Sequence, residues 1–141
     1  MADCIFCRII AKEVPSHAVW ENDRFLAFLN IRPVNPGHLL IIPKEHIDPV
    51  FGMPDALYQE LFETAKALST PLQKAMNSAR VGMVIEGFGV SHAHLHLVPI
   101  NSPHELDSTR EKDASPGELS ATAERIRHEI NNRRKISESN D

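Results

Sequence analysis

The stretch His-Ala-His-Leu-His-Leu-Val, residues 92 to 98, alternates histidine with small or apolar side chains. Successive side chains of a β-strand point to opposite faces, so His92, His94 and His96 are expected together on one face. Alternate imidazoles lie about 6.5 to 7 Å apart along a strand, close enough to serve one bound group or two adjoining sites. The stretch therefore predicts a strand over 92–100 that buries one face and presents a reactive one.

Four short apolar runs predict the other strands of a sheet. They cover residues 19–20, 25–29, 38–42 and 80–85. Turn-forming residues over 21–23 and 33–37 separate the first three runs. Residues 86–89, Glu-Gly-Phe-Gly, predict a tight turn that joins the fourth run to the histidine strand. We expect an antiparallel sheet of about five strands.

Three further segments predict helices, so the expected fold class is α+β. The apolar spacing over 5–10 indicates a short N-terminal helix that stops near residue 14 and carries both cysteines on its first turn. A long central helix is expected over 54–77, and Pro71 is expected to kink or split it. Residues 115–118, Ser-Pro-Gly-Glu, supply the start signals of a C-terminal helix over about 116–135.

Length and composition favour one small domain. The chain has 141 residues, 42% of them hydrophobic, which predicts a single domain over 1–136, with its core over 3–100 and a disordered tail over 137–141. A net charge of −4 without long runs of either sign argues against a nucleic-acid or lipid-surface partner and favours a small molecule. With no leader pattern and no apolar stretch of about 18 residues, we expect a cytoplasmic protein without a membrane segment.

Three imidazoles on one strand face are compatible with two chemistries. Neutral imidazoles can hold zinc and leave a position open for catalytic water, although the outer pair would lie about 13 Å apart at the backbone. Alternatively, the central imidazole attacks phosphorus while its neighbours hold phosphate oxygens or protonate the leaving group. Histidines without any role are a third interpretation, which three in strict register disfavour.

The only cysteines, Cys4 and Cys7, are separated by two residues. That gap is usual for the first ligand pair of a tetrahedral Cys₂His₂ zinc site, which two histidines would complete. A redox pair is an alternative, but it normally lies in a thioredoxin-like βαβ unit that the N-terminus does not predict. Two unpaired structural cysteines are the other alternative.

Residues 92–98 satisfy the pattern His-φ-His-φ-His-φ-φ, in which φ is apolar, and four other blocks accompany it. These are CIFCRII over 4–10, EVP over 13–15, FLAFLNI over 25–31 and PGHLLIIPKEH over 36–46. On these motifs the chain resembles the histidine triad (HIT) superfamily over about residues 3–100. The resemblance implies a HIT-like fold, a homodimer, and hydrolysis of the α-phosphate bond of an adenine nucleotide, either a nucleoside phosphoramidate or a dinucleoside polyphosphate.

The same resemblance implies roles for individual residues. His94 would be the nucleophile that forms a nucleotidyl-histidine, with His96 and His38 supporting the phosphate. Asn30 would lie near the ribose hydroxyls and Gly89 near the phosphate. The residues implied around the base are Ile5, Phe6, Ile9, Phe28 and Ile31.

A zinc-binding branch of the superfamily implies a structural metal site. Its four ligands correspond here to Cys4, Cys7, His46 and His92. A closed site of this kind would hold the first helix to the sheet and would leave His92 outside catalysis.

The chain departs from the superfamily at two places. Asn30 stands where aspartate is usual, and residues 86–91 lack the glutamine that precedes the triad in many members. Two alternatives to the nucleotide hydrolase stay open, the first of them suggested by the missing loop glutamine. One is a nucleotide-binding or interaction protein without turnover, and the other is a tri-histidine zinc hydrolase.

Overall fold

The computed structural model describes residues 3–139, with side chains described up to residue 133. Five strands form one sheet: β1 (Ala18–Glu21), β2 (Phe25–Leu29), β3 (Leu39–Pro43), β4 (Arg80–Val84) and β5 (Leu95–Ile100). Their order across the sheet is β1-β2-β3-β5-β4, and all neighbouring pairs are antiparallel. Together with three α-helices, this sheet confirms the predicted α+β class.

Two long helices, α2 (Asp55–Met76) and α3 (Pro116–Ser139), cover one face of the sheet. The main core lies between them and the strands, and Ala93, Leu95 and Leu97 contribute to it with at most 2% of their surface exposed. The apolar positions of the 92–98 stretch therefore face the long helices. The histidine positions face the other side, as the alternation predicted.

A single short helix, α1 (Ile5–Ile10), packs on that other face. Its buried residues Phe6 and Ile9 form a second apolar cluster with side chains of the central strands, namely Leu26, Phe28, Leu40 and Ile42. Because β2 and β3 lie between the two clusters, all five residues of each are buried. This explains why their sequences are continuous apolar runs rather than alternating ones.

The first helix ends earlier than predicted, at Ile10. Cys4 is its N-cap residue, and the Cys4 sulfur accepts the backbone N–H of Cys7 at 3.4 Å. After Ile10 the chain turns at Lys12, whose φ is 65°, and the Glu13 N–H returns to the Arg8 carbonyl at 2.9 Å. This left-handed residue ends the helix before residue 14.

The histidine strand begins later than predicted. β5 starts at Leu95, and the backbone N–H of Ala93 instead donates to the Ile47 carbonyl at 2.8 Å. Because Val84 pairs with His96 at the other end of the hairpin, residues 85–94 form a long loop, and the predicted tight turn over 86–89 is wrong. His38 likewise precedes β3 rather than opening it.

The two long helices also differ from their predicted form. α2 runs through Pro71 without interruption, so the predicted split does not occur; the proline ring is itself buried among the core leucines. The Ser115 hydroxyl accepts the Glu118 N–H at 3.1 Å, as a capping box requires. α3 continues to Ser139 and so enters the segment predicted as a disordered tail, of which residues 140 and 141 lie outside the described residues. None of the described helices is long and apolar enough to span a bilayer.

Candidate active site

Four histidines meet on the α1 side of the sheet; we call His38, His92, His94 and His96 the histidine cluster. The ring centroids of His94 and His96 are 5.2 Å apart, and those of His38 and His96 are 5.0 Å apart. At least 95% of the surface of His38, His92 and His94 is buried. His38 is thus packed ring to ring with His96, which lies 58 residues further along the chain.

The backbone fixes the orientation of His94. Its Nδ1 lies 2.8 Å from the carbonyl oxygen of His92. A carbonyl oxygen only accepts hydrogen bonds, so Nδ1 carries the proton and the neutral ring keeps its lone pair on Nε2. The ring of Phe6 stands edge-on to His94 at 5.4 Å. His94 is therefore held with Nδ1 on the backbone carbonyl and with the lone pair of Nε2 on the opposite side of the ring.

A chain of hydrogen bonds sets the tautomers of His38 and His96. The Val34 N–H donates to His38 Nδ1 at 3.2 Å, which leaves the proton of a neutral His38 on Nε2. His38 Nε2 in turn lies 2.8 Å from His96 Nδ1, which must accept. Neutral His96 thus carries its proton on Nε2, where it can donate to an anion.

His38 and His96 are both neutral at physiological pH. Burial, reinforced by the charge of neighbouring His96, lowers the pKa of His38 to about 3. Burial, reinforced by His94, lowers the pKa of His96 to about 4. Desolvation penalises the charged form of each ring. The tautomers derived from the hydrogen bonds are consequently the forms present near pH 7.

His92 turns its free nitrogen towards the cysteines. Its Nε2 lies 2.8 Å from the Pro43 carbonyl oxygen and so carries the proton. Its Nδ1 lies 3.4 Å from the sulfur of Cys4 and 3.6 Å from that of Cys7. The lone pair of His92 is therefore directed at the two thiols, away from His94.

These residues, with His46, form a group that could hold a metal ion. The ligand atoms of Cys4, Cys7, His46 and His92 all lie within 4.8 Å of one another, and His46 Nδ1 is 3.2 Å from the Cys7 sulfur. A tetrahedral centre with zinc bond lengths separates sulfur from nitrogen by about 3.6 Å. The three sulfur–nitrogen distances between these cysteines and histidines, 3.2, 3.4 and 3.6 Å, are close to that value. The donors therefore fit the predicted Cys₂His₂ set.

A cavity of about 280 Å³ opens beside His38 and His96. Of the residues predicted for nucleotide binding, Asn30 and Gly89 line it. Phe6, Ile9 and Phe28 lie under α1 in the second core cluster, with the Phe6 and Phe28 rings 5.7 Å apart. Ile5 is 38% exposed and Ile31 is 65% exposed. The predicted set is thus divided among the core under α1, the cavity wall and exposed surface.

One wall of the cavity was not anticipated from the sequence. Residues 101–114, here called the strap, were predicted only as a polar connection, yet Leu106, Ser108 and Glu111 line the cavity. The strap is joined to the 31–35 segment by backbone bonds, from the Lys112 N–H to the Pro33 carbonyl and from the Ala114 N–H to the Ile31 carbonyl. No motif marks such a contact, because it depends on where the chain returns after β5.

Comparison with known proteins identifies the family. The model of the HIT domain family matches residues 11–102. An uncharacterized HIT-like protein of Borreliella burgdorferi is 41% identical over 106 residues, which are 70% of this chain and 76% of that protein. The adenosine 5'-monophosphoramidase of Candida albicans is 35% identical over 107 residues, 70% of each chain.

A solved structure agrees with the fold. The crystal structure of a Zn-bound histidine triad family protein from Mycobacterium smegmatis has a TM-score of 0.84 to this chain, covering 96% of it and 98% of that chain, at 22% identity. At this identity the likeness concerns the fold. Because the family model spans most of the chain and includes the histidine cluster, this protein belongs to the HIT domain family.

Proposed function

We propose that this protein hydrolyses nucleoside phosphoramidates of the adenosine 5'-monophosphate type through a nucleotidyl-His94 intermediate. The observation that carries the proposal is the 2.8 Å contact between His94 Nδ1 and the His92 carbonyl, which leaves Nε2 as a free nucleophile. The Candida albicans relative, named an adenosine 5'-monophosphoramidase, supports this class of substrate. A dinucleoside polyphosphate remains the other substrate class that the fold family accommodates.

The reaction divides into two displacements at phosphorus. In the first, the Nε2 lone pair of His94 forms a bond to the α-phosphorus while the phosphorus–nitrogen bond of the substrate breaks. The electron pair stays on the departing amine, which takes up a proton from solvent. In the second, water attacks the phosphorus, the bond to His94 breaks, and a proton returns to solvent. Two easier steps replace one difficult one.

His96 and His38 support the phosphate in this mechanism. The Nε2 proton of His96 faces outward and donates to a phosphoryl oxygen, while His38 fixes the opposite nitrogen of His96 at 2.8 Å. Backbone N–H groups around Gly89 take the place of the missing glutamine side chain. Both donors stabilise charge that increases on the phosphoryl oxygens during attack.

The nucleoside fits the α1 side of the site. Ile5 and Ile31 offer exposed apolar surface, while Phe6, Ile9 and Phe28 form the buried floor beneath them. The amide of Asn30 lies at the cavity and can bond a ribose hydroxyl without contributing charge. The exposed apolar surface of Ile5 and Ile31 and the position of Asn30 at the cavity support this proposal.

We further propose that Cys4, Cys7, His46 and His92 bind a structural zinc ion. The donor set is closed, with four protein ligands, so zinc would hold α1 against the 92–94 segment and would have no position for a catalytic water. Thiolate ligands require reduced cysteines, which agrees with the expected cytoplasmic location.

A homodimer is proposed through the β4 edge of the sheet. The other edge, β1, is partly capped because the Arg127 side chain donates to the Ala18 carbonyl at 2.7 Å. On β4, Met83 is 46% exposed. An edge strand with an exposed apolar side chain is suited to pairing with a second copy.

Mass spectrometry tests the central step. The protein is incubated with adenosine 5'-phosphoramidate, quenched in base to preserve the phosphorus–nitrogen bond, digested and searched for AMP attached to His94. We expect the adduct in the wild type and its loss, with at least a thousandfold lower kcat, in His94→Ala. His128→Ala, on the exposed surface of α3, is the matched control.

Two results would replace the proposal. AMP binding without turnover or adduct would identify a non-catalytic nucleotide-binding protein. Turnover that persists in His94→Ala and disappears with a chelator would identify a tri-histidine zinc hydrolase. Within the described residues, the group that could hold a metal does not include His94 or His96, which is why we favour the covalent mechanism.

A further inference from the structure

The side chain of Asn35 joins three parts of the chain beside the histidine cluster. Its amide nitrogen donates to the Pro99 carbonyl at 2.8 Å and to Glu105 Oε1 at 3.4 Å. Its Oδ1 accepts a hydrogen bond from the Arg110 guanidinium at 2.9 Å. Both N–H donors and the oxygen of the amide therefore have partners. These bonds hold the 33–38 segment to the end of β5 and to the strap.

Glu105 and Arg110 give the strap the conformation that meets Asn35. Glu105 Oε1 also accepts the backbone N–H groups of Asn101 and Ser102, and these bonds, above all the one from Asn101, hold the pKa of Glu105 below its ordinary value. The Arg110 guanidinium donates to the Glu105 carbonyl at 2.6 Å and lies 4.0 Å from the Glu105 carboxylate. We call Asn35, Glu105 and Arg110 the strap anchor.

The strap anchor adjoins the hydrogen bond that sets the tautomer of His38. The His38 N–H donates to the Asn35 carbonyl at 3.2 Å, and the preceding residue, Val34, donates its N–H to His38 Nδ1, also at 3.2 Å. A distance of 3.2 Å is at the upper limit of the usual range for such bonds. The Val34 bond is therefore sensitive to small displacements of the backbone, which the side chain of the adjacent Asn35 fixes to β5 and the strap.

The other tautomer of His38 would invert the donors of the His38–His96 pair. With its proton on Nδ1, His38 would accept at Nε2 from His96 Nδ1 across the 2.8 Å contact, and His96 Nε2 would keep a lone pair instead of a proton. A lone pair directed at a phosphoryl oxygen repels it. Both arrangements contain the same number of protons, so the partner of His38 Nδ1 selects between them. The Val34 N–H selects the first, because it can only donate.

We propose that the strap anchor is a set of positioning residues, which keeps the Val34 N–H on His38 Nδ1 and thereby keeps the proton on His96 Nε2. This inference rests on the proposed function and adds to it that the strap determines whether His96 donates to the phosphate. Among the described residues that line the cavity beside His38 and His96, none belongs to the anchor. The anchor therefore acts through the backbone of the 33–38 segment and not by touching the substrate.

Nitrogen NMR reads the two tautomers directly. The full-length protein is labelled with nitrogen-15 in its histidines, and long-range proton–nitrogen correlations at pH 7 are assigned with His38→Asn and His96→Asn. In the wild type both rings are expected as the Nε2–H tautomer. Asn35→Ala and Arg110→Ala are expected to give His38 an Nδ1–H population that the wild type lacks, with the Nε2–H population of His96 reduced to the same extent.

Two further changes distinguish positioning from a general loss of structure. Glu105→Gln retains an oxygen for the same N–H donors, so the wild-type tautomers are expected to persist, whereas Glu105→Ala is expected to shift them. Ile126→Val shortens a fully buried side chain of α3 and lowers stability, but it lies outside the anchor and is expected to leave both tautomers unchanged. A tautomer shift in Ile126→Val equal to that in Asn35→Ala overturns the proposal.

Binding of AMP and adenosine tests the consequence for the phosphate. Asn35→Ala changes no charge, and only AMP carries the phosphate that His96 Nε2 is proposed to contact. The calorimetric Kd of AMP is expected to rise about tenfold in Asn35→Ala, and that of adenosine to stay within about twofold of the wild type.

These measurements separate the anchor from the mechanism on which it rests, because neither depends on turnover. Shifted tautomers with weakened AMP binding support the anchor even if no His94 adduct is ever detected. Wild-type tautomers in both Asn35→Ala and Arg110→Ala, or equal losses of AMP and adenosine affinity in Asn35→Ala, overturn it even if the adduct forms.

Discussion

The backbone, more than any side chain, decides where the protons of the histidine cluster lie. The His92 carbonyl orients His94, the Pro43 carbonyl orients His92, and the Val34 N–H orients His38. The alternation over 92–98 was sufficient to predict that three imidazoles share a face. It could not predict the tautomers, because the partners come from other parts of the chain, 49 residues away in the case of Pro43.

The neutral histidines His38 and His96 make stability depend on pH. The pKa of His38 is lowered to about 3 and that of His96 to about 4, below the ordinary value of 6.5. Between 6.5 and these values the unfolded chain binds more protons, so the free energy of unfolding decreases as pH falls. Each histidine contributes a slope of about 1 kcal/mol per pH unit between pH 6 and 5.

Urea unfolding of the wild type and His38→Asn at pH 7, 6 and 5 measures this slope. The variant lacks one of the two titrating rings, so its stability is expected to fall less steeply with decreasing pH. His128→Asn, which alters an exposed ring, is expected to keep the wild-type slope. Parallel curves for wild type and His38→Asn would contradict the assigned neutral state.

The secondary-structure elements were predicted correctly where their hydrogen bonds are local or where their apolar pattern extends over many residues. The apolar runs of β2 and β3 were recognised, and the Ser115 cap marked the start of α3. The beginning of β5 was misjudged because Ala93 pairs with Ile47 instead of continuing the ladder with β3. Pro71 did not divide α2, in which its ring is buried together with Leu68 and Leu72.

The cap of α3 is predicted to have a measurable effect. Ser115→Ala removes the hydroxyl that accepts the Glu118 N–H at 3.1 Å and is expected to lower the free energy of unfolding by about 1 kcal/mol. Ser120→Ala, at an exposed position inside the same helix, is the matched control and is expected to be neutral or slightly stabilising. Equal unfolding midpoints in urea for the two variants would show that the cap contributes nothing.

Removal of the proposed metal should loosen α1 before any other element. α1 has only six residues, too few to be stable without tertiary contacts, and two of the four proposed ligands lie at its start. Cys7→Ser is expected to lose stoichiometric zinc and to increase amide hydrogen exchange over residues 5–10, with little change in α2. Zinc content by mass spectrometry and peptide-resolved exchange check both effects, and full zinc retention would contradict the site.

For the molecule as a whole, the two-sided burial of the central strands determines what could be foreseen. The apolar runs of β2 and β3 do not alternate, which agrees with their burial on both faces, and the histidine motif indicates which face carries the cluster. The strap could not be foreseen, since its contacts join Arg32 to Glu111 and Asn35 to Arg110 across more than 70 residues of sequence. Such pairs carry no local pattern.

The dimer proposal has a direct test. A proline at Val84 removes a backbone donor from β4, the strand proposed to pair with a second copy. Light scattering after size-exclusion chromatography is expected to give twice the chain mass for the wild type and a shift towards the monomer for Val84→Pro. Met83→Lys, a surface change that leaves the backbone intact, separates a lost interface from a disturbed fold. A monomeric wild type would refute the dimer.

Residue 92 contributes two unrelated things from one position: its ring is aimed at the thiols, and its carbonyl holds His94. The ring can be changed by a single codon, but the carbonyl cannot, since every amino acid carries one. A substitution at residue 92 would therefore remove the proposed metal ligand but not the carbonyl contact that is proposed to prepare His94. That contact depends only on the path of the backbone.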